Sequence, residues 1–257
     1  MRIILTADDF GYCNDTVDAT IACFERGALT SASIMPRMPA TDRAVDFARQ
    51  HQRFSFGLHL TLISDGQERP VSDPKTIPCL LDATGRFLPS NRVRLLALLG
   101  RISAQQLEME IEAQIAWLSH TGVCVSHVDS HGHLHKFKPI RAALGRVLAR
   151  TSIRHVRNVQ NVYLRRPALS PTRWLGPRWS RAITTQFEST MHFYMPTTAH
   201  DANWPEQLLG RVSGATLEVG VHPGSAESWR RREAQQICEF AGIAKCTGHE
   251  LIGWREL

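Results

Sequence analysis

Short apolar runs alternate with stretches of helical periodicity along most of the chain, and that alternation confines it to stacked βα units. Runs at Arg2 to Ala7, Leu29 to Met35, Phe54 to Leu60, Val123 to Val128, Ile153 to Val156 and Thr216 to Val221 read as strands. Helix patterns run from Asn14 to Arg26, Thr41 to Gln50, Ser103 to Thr121, Pro139 to Arg150 and Ser228 to Ala241, and Leu251 to Trp254 closes the chain. Asn14 or Asp15 caps the first helix and Gly27 stops it. Ser103 and Gln106 spell a capping box, ahead of one apolar face made by Leu107, Ile111, Ile115 and Leu118. Residues 61–90 are rich in Pro, Gly and Asp and form a long excursion, which in a compact domain means a functional loop. Residues 165–181 yield no element. Roughly six to eight such units predict an α/β fold, an irregular barrel with long βα loops rather than a sandwich, as a single domain over residues 1–257.

Composition narrows the class. With 257 residues, 43% hydrophobic and 21% charged, the chain can bury a core and is neither disordered nor collagenous. It has no run of about 18 apolar residues, so no transmembrane segment is expected. The opening MRIILTADDF is too short and too acidic for a secretory signal. Cysteines at 13, 23, 79, 124, 238 and 246 lack CxxC spacing, which fits reduced thiols and a cytoplasmic protein. The net charge of +6 is uneven, because residues 130–187 hold twelve Lys and Arg and no acid. A solvated helix face explains such a run. The sharper alternative is a substrate entrance lined by Arg165, Arg166, Arg173 and Arg178, favouring an anionic or phospholipid-associated substrate.

Function in a βα barrel sits where strands end. Four strand ends carry ionisable groups: Asp8 and Asp9, His59, the cluster from His127 to His135, and His222 near Glu218. An isolated aspartate pair also serves as a loop carboxylate for backbone donors, but adjacent carboxylates point apart, so one can bind a cation while the other stays a base. In the cluster, His127, Asp129, His131, His133 and His135 occupy alternate positions, and on an extended segment all five would share one face. Buried polar groups at that density need a hydrogen bond or a metal each. The pattern reads as a metal site with further histidines behind the ligands. Glu218, Gly220 and His222 alternate likewise, and Pro223 and Gly224 turn the chain just after a histidine suited to act as general acid.

Thr6-Ala7-Asp8-Asp9-Phe10-Gly11, Gly57-Leu58-His59-Leu60, the segment from His127 to His135 and Val221-His222-Pro223-Gly224 follow one another in the order found in the YdjC-like, ChbG-type carbohydrate deacetylases. The chain resembles that family, including its hopanoid-biosynthesis-associated branch, from residue 3 to about residue 240. The resemblance implies a divergent TIM-like barrel with one divalent metal, removing the N-acetyl group from an acetylated amino sugar. Carried over motif by motif, the metal ligands are Asp9, His59 and His131, the base is Asp8 and the acid His222, with His127, Asp129, His133 and His135 supporting them. A homodimer is also implied. The substrate is an N-acetylglucosamine-type oligosaccharide or a lipid-linked glycan, its choice left to residues 61–100 and 150–205, where no motif matches. Two imidazoles and one carboxylate suit zinc, manganese or cobalt, and magnesium where water fills the remaining positions. Three competitors stay open. One is another metal-dependent hydrolase on the same scaffold, such as a phosphoester hydrolase clamping phosphate with the basic stretch. The others are a nucleic-acid binder and a non-catalytic metal binder. No nucleic-acid motif surrounds Trp174 and Trp179, so no nucleic acid is expected.

Overall fold

Arg2–Phe10 forms the first strand, β1, and the other strands are laid out on either side of it. The computed structural model describes residues 1–164, 172–196 and 201–257, without the side chains of 172–174. The remaining strands are β2 (Ser31–Ile34), β3 (Ser55–Leu60), β4 (Val125–Ser130), β5 (His155–Val156), β6 (His192–Tyr194), β7 (Thr216–Val221) and β8 (Glu250–Leu251). The helices are α1 (Asn14–Glu25), α2 (Thr41–Gln50), α3 (Ser90–Leu98), α4 (Ala104–His120), α5 (Lys138–Leu148), α6 (Thr172–Gln186), α7 (Trp204–Gln207) and α8 (Ser228–Cys246). Among the described residues, no helix is long and apolar enough to cross a membrane.

The strands run in the order β5-β4-β3-β2-β1-β7-β6, each pairing parallel. One edge of β1 is shared. Its first residues pair with β8, through Glu250 N–H to Met1 O (3.2 Å) and Ile252 N–H to Ile3 O (2.9 Å), and its later residues pair with β2. The outer strands are drawn together, because Glu188 donates to Arg154 O (3.2 Å) and accepts from Val156 N–H (3.0 Å). The sheet thereby curls into the expected TIM-like barrel.

Alternation sorts the side chains. Ile3, Leu5 and Ala7 of β1 and Leu217, Val219 and Val221 of β7 join the main core, which lies under the helices. The inward set is polar above a small floor of Ile4, Ile252 and Trp254. Above the floor stand Asp8 (β1), Ser33 (β2), His59 (β3), His127 and Asp129 (β4) and Glu218 (β7), all buried. A Cβ on Gly57 would lie 2.4 Å from the His127 ring, so that glycine makes room for the imidazole.

Several local expectations change. Asp8 and Asp9 lie inside β1, and Asp9 adopts φ 57 where the β1–β2 register shifts between Ala7 and Phe10. That bulge turns successive carboxylates to different partners. Cys13, rather than Asn14 or Asp15, precedes α1, and Thr16 Oγ1 accepts from its N–H. Asp15 instead holds the loop beyond His222 by accepting from Ser225 N–H (2.9 Å) and Ala226 N–H (3.1 Å). The capping box is half made: Ser103 accepts from Gln106 N–H, but the Gln106 amide oxygen is drawn away to Cys79 N–H at 2.7 Å. α3, β6 and α7 are too short or too weakly periodic to stand out in the sequence. Of the arginines expected at an entrance, Arg165 and Arg166 lie outside the described residues, as does the side chain of Arg173, and Arg178 is exposed on α6.

Glu110 of α4 anchors the 61–90 excursion. It is fully buried and accepts from Val71 N–H (2.9 Å), Ser72 N–H (3.0 Å) and Gln114 Nε2 (2.8 Å). Charged hydrogen bonds of this kind are the stronger class, so Glu110→Ala is expected to cost about 2–4 kcal/mol in a denaturant titration. An unchanged midpoint would mean that the excursion is held by other contacts.

Candidate metal centre at the mouth of the barrel

Three elements bring Asp9, His59 and His131 together. Asp9 Oδ1 lies 3.4 Å from His59 Nε2 and 3.2 Å from His131 Nδ1, and the three donor atoms fall within 4.8 Å of one another. Asp9 and His59 are buried, whereas His131 is 18% exposed. Asp9 Oδ1 is a buried oxygen without a hydrogen bond. Two imidazole nitrogens and one carboxylate oxygen converging there are a donor set for a divalent cation, so the residues fit a metal ion.

The surroundings fix these three side chains. His59 Nδ1 donates to Asp129 Oδ1 at 2.8 Å, which aims Nε2 toward Asp9. Asp129 Oδ2 accepts from Ser33 Oγ (2.8 Å) and Arg157 Nη1 (2.6 Å). The other oxygen of Asp9 accepts from Arg230 Nη2 at 2.8 Å. His131 Nε2 faces Asp65 at 3.5 Å, on the excursion.

Charge follows the geometry. Burial opposes a proton on His59, yet Asp129 and Asp9 beside it push its pKa up to about 10. Burial likewise opposes charge on His131, but Asp65 and Asp9 raise it to about 9. Asp9 goes the other way: burial resists its ionisation, while the His131 and His59 contacts hold it well below the usual carboxylate range. The carboxylates that raise both imidazoles make the spot between them electronegative, an environment that favours a cation.

Asp8, His59 and Asp129 also come within 4.8 Å of one another, but Arg157 already neutralises both carboxylates. Arg157 is fully buried. It donates to Asp8 Oδ2 (2.7 Å), Asp129 Oδ2 (2.6 Å) and Glu218 Oε1 (2.8 Å), with its guanidinium 4.8 Å from the Phe193 ring centre. Asp8 keeps one buried oxygen, Oδ1, free of hydrogen bonds.

The histidine cluster is not one extended face. β4 stops at Ser130, and His131 to Lys136 form a 3-10 turn with Gly132 (φ 64) and His133 (φ 54) in the left-handed region. His127 points down to the floor, stacked on Trp254 at 4.8 Å and bonded to Ser33 Oγ at 3.2 Å. His135 pairs with Ser130 Oγ at 2.6 Å, and His133 packs 5.8 Å from Phe193. Burial pushes His127 and His135 each down to about 3 and His133 well below the imidazole range, so all three are neutral. His222 stands across the mouth, its Nδ1 3.2 Å from Glu233 Oε2 and its ring 5.6 Å from Trp229. Burial lowers its pKa, but Glu233 and the charge of Asp9 raise it further, for a net upward shift.

Sequence reasoning passed over Arg157, Arg230, Glu233, Asp65 and Ser33. Arg230 and Glu233 did leave a signal, being charged residues on the same buried stripe of α8 as Ile237 and Phe240. The acid-free stretch also resolves into separate roles. Arg157 goes to the barrel centre, and Arg146 and Arg150 pair with Glu108 (2.7 Å) and Glu112 (3.2 Å) of α4.

A family model described as YdjC-like protein matches residues 2–250. A carbohydrate deacetylase of Halalkalibacterium halodurans is 33% identical over 57% of this chain and 60% of its own length. A human carbohydrate deacetylase is 29% identical over 87% of this chain and 75% of its own. A crystal structure of an Enterococcus faecalis protein described as a cellobiose-phosphate cleavage protein superposes with a TM-score of 0.82 at 21% identity, covering 99% of this chain and 98% of that one, and it shares the fold.

Proposed function

The chain belongs to the YdjC-like protein family, and from that premise we propose that it is a carbohydrate N-deacetylase, hydrolysing the acetamide of an N-acetylglucosamine-type oligosaccharide or glycolipid. The observation that carries the reading is the convergence of Asp9, His59 and His131 near Asp8, whose Oδ1 is free, with His222 close enough to feel the charges of Asp9 and Asp8. A divalent cation held by those three residues would supply Lewis acidity toward the amide carbonyl and a water molecule. Zinc, manganese, cobalt and magnesium all suit the donors.

The residues then divide the work. Asp8 Oδ1 takes a proton from the attacking water while Arg157 holds the other oxygen in place. Asp129 keeps His59 in the required tautomer, and Arg230 orients Asp9. His222, held through Nδ1 by Glu233, gives its proton to the amine as the C–N bond breaks and acetate departs. For the phosphoester alternative, Arg157 is committed to three carboxylates and Arg146 and Arg150 to Glu108 and Glu112, so these three members of the basic stretch offer phosphate no clamp.

The test is acetate release from N-acetylglucosamine oligomers and N-acetylated glycolipids, with and without chelator. Release that stops with chelator and returns with added metal supports the reading. No acetate from any of them, with the four metals supplied in turn, would overturn it.

His59→Ala and His131→Ala are each expected to lose bound metal and turnover together, measured by metal analysis and rate. His135→Ala, outside the donor triangle, should weaken activity by only about 10–100-fold. Full metal in His131→Ala with loss in His127→Ala would assign the wrong histidine. The pH profile tests His222. A general acid must be protonated, so the rate falls as pH rises through its pKa. The hydrogen bond to Glu233 moves that alkaline limb upward from the ordinary imidazole value. His222→Ala should flatten it, and a limb that survives unchanged would remove His222 from the role.

A further inference from the structure

α3 buries one face and leaves another bare. Val93 and Ala97 are buried, whereas Leu95, Leu98 and Leu99 are 56%, 62% and 58% exposed. At spacings of three and four residues these leucines share one side of the helix. Single exposed apolar residues are ordinary on a surface, but three bulky ones together mark a place of contact.

The segment that carries them has charge of one sign. Residues 83–107 contain Arg86, Arg92, Arg94 and Arg101 and no acid. The bordering acids are already committed: Asp82 accepts from the N–H groups of Thr84 (2.8 Å) and Arg86 (3.1 Å), and Glu108 accepts from Arg146 (2.7 Å). Arg86, Arg92 and Arg101 are exposed. Arg94 turns inward and pins the helix beside the candidate site, donating to Ser90 Oγ (2.9 Å) and to the carbonyl of Gly132 (2.6 Å), the residue after His131.

We propose that the Leu95, Leu98 and Leu99 face docks the protein on an anionic lipid surface. The leucines enter the boundary between headgroups and acyl chains, and Arg86, Arg92 and Arg101 meet lipid phosphates. Charge complementarity selects this occupant. A second copy meeting the face symmetrically would set arginines against arginines, with no acid in the segment to pair them. Because α3 is tied to the turn that carries His131, docking holds the mouth of the barrel close to the surface. The inference does not depend on the reaction the site performs.

Sedimentation with phosphatidylcholine vesicles, with and without phosphatidylglycerol, tests it. The protein should bind the phosphatidylglycerol vesicles in a salt-sensitive way and the neutral vesicles much more weakly. Leu95→Gln/Leu98→Gln/Leu99→Gln should weaken partitioning at least about tenfold, with the thermal melt unchanged. Arg92→Gln/Arg101→Gln is the second arm, and it should remove most of the salt sensitivity. Protein left in the supernatant at low salt, or equal partitioning of the leucine variant, would overturn the proposal. So would a dimer that the leucine variant abolishes, which would give the face to a second copy.

Discussion

Asp8→Asn is expected to leave the fold and the bound cation intact while kcat falls by about 10²–10⁴-fold. Asparagine nearly reproduces the shape of aspartate, and its amide oxygen can still accept from Arg157, now held at 2.7 Å by Asp8 Oδ2. It offers no useful basicity at the position of Oδ1, the buried oxygen without a partner. Asp9→Asn should separate cleanly from it. Removing the charge beside His59 and His131 weakens metal affinity, so turnover falls but recovers in part with added metal. Metal analysis and rate, measured on both variants across a metal titration, decide the question. A metal-free Asp8→Asn protein, or an Asp9→Asn protein with full metal and no rate, would exchange the two roles.

The other large effect belongs to stability. Arg157→Met leaves Asp8, Asp129 and Glu218 inside the barrel without their shared counter-charge. Breaking a buried network from one side costs about 3–5 kcal/mol. The penalty should depend on pH in a definite direction. Burial already raises Glu218 to about 7, against the opposing pull of Arg157, so its folded form holds a proton that the unfolded chain releases. A group shifted in that direction contributes stability below its unfolded pKa and loses it as pH rises through the folded one. Asp129 behaves oppositely in the wild type: burial resists its charge, but Arg157 and His59 keep it ionised well below the usual range. Without Arg157 the larger part of that support is lost, and the carboxyls left short of counter-charge are tolerated best when protonated. Arg157→Met should therefore be least destabilised in mild acid and progressively worse toward alkaline pH. Arg157→Lys, which keeps the charge without the fork, should retain part of the stability and so remain measurable if the methionine variant does not fold. A penalty that does not change with pH would mean that packing against Phe193, rather than charge, is what Arg157 supplies.

What could be read from the sequence was whatever depends on neighbours in the chain. The apolar runs located β1, β2, β3, β4 and β7 to within a few residues, because a strand buried on one face by helices has no polar outward positions to blur it. His59, His131 and His222 were legible because each sits at a strand end. The fate of His127, His133 and His135 was not, since it turns on two left-handed residues after β4 and on Trp254 arriving from the far end of the chain. Arg157 was hidden for a similar reason. Nothing local distinguishes it from the surface arginines of its stretch, and its three carboxylates lie on β1, β4 and β7.

The shared edge of β1 gives the barrel an order of assembly. Residues 2 and 3 are made well before their partners on that edge, Glu250 and Leu251. The floor has the same dependence, because Trp254 supplies the ring that His127 stacks upon. Closing contacts this far apart in sequence is slow, and the loop entropy must be met before the contacts reward it. The N-terminal half therefore lacks these partners until residues 250–254 have been made. Its polar interior, Asp8 and Asp129 included, gains its floor of Ile252 and Trp254 only when residues 250–254 dock, so the candidate site depends on a segment distant in sequence.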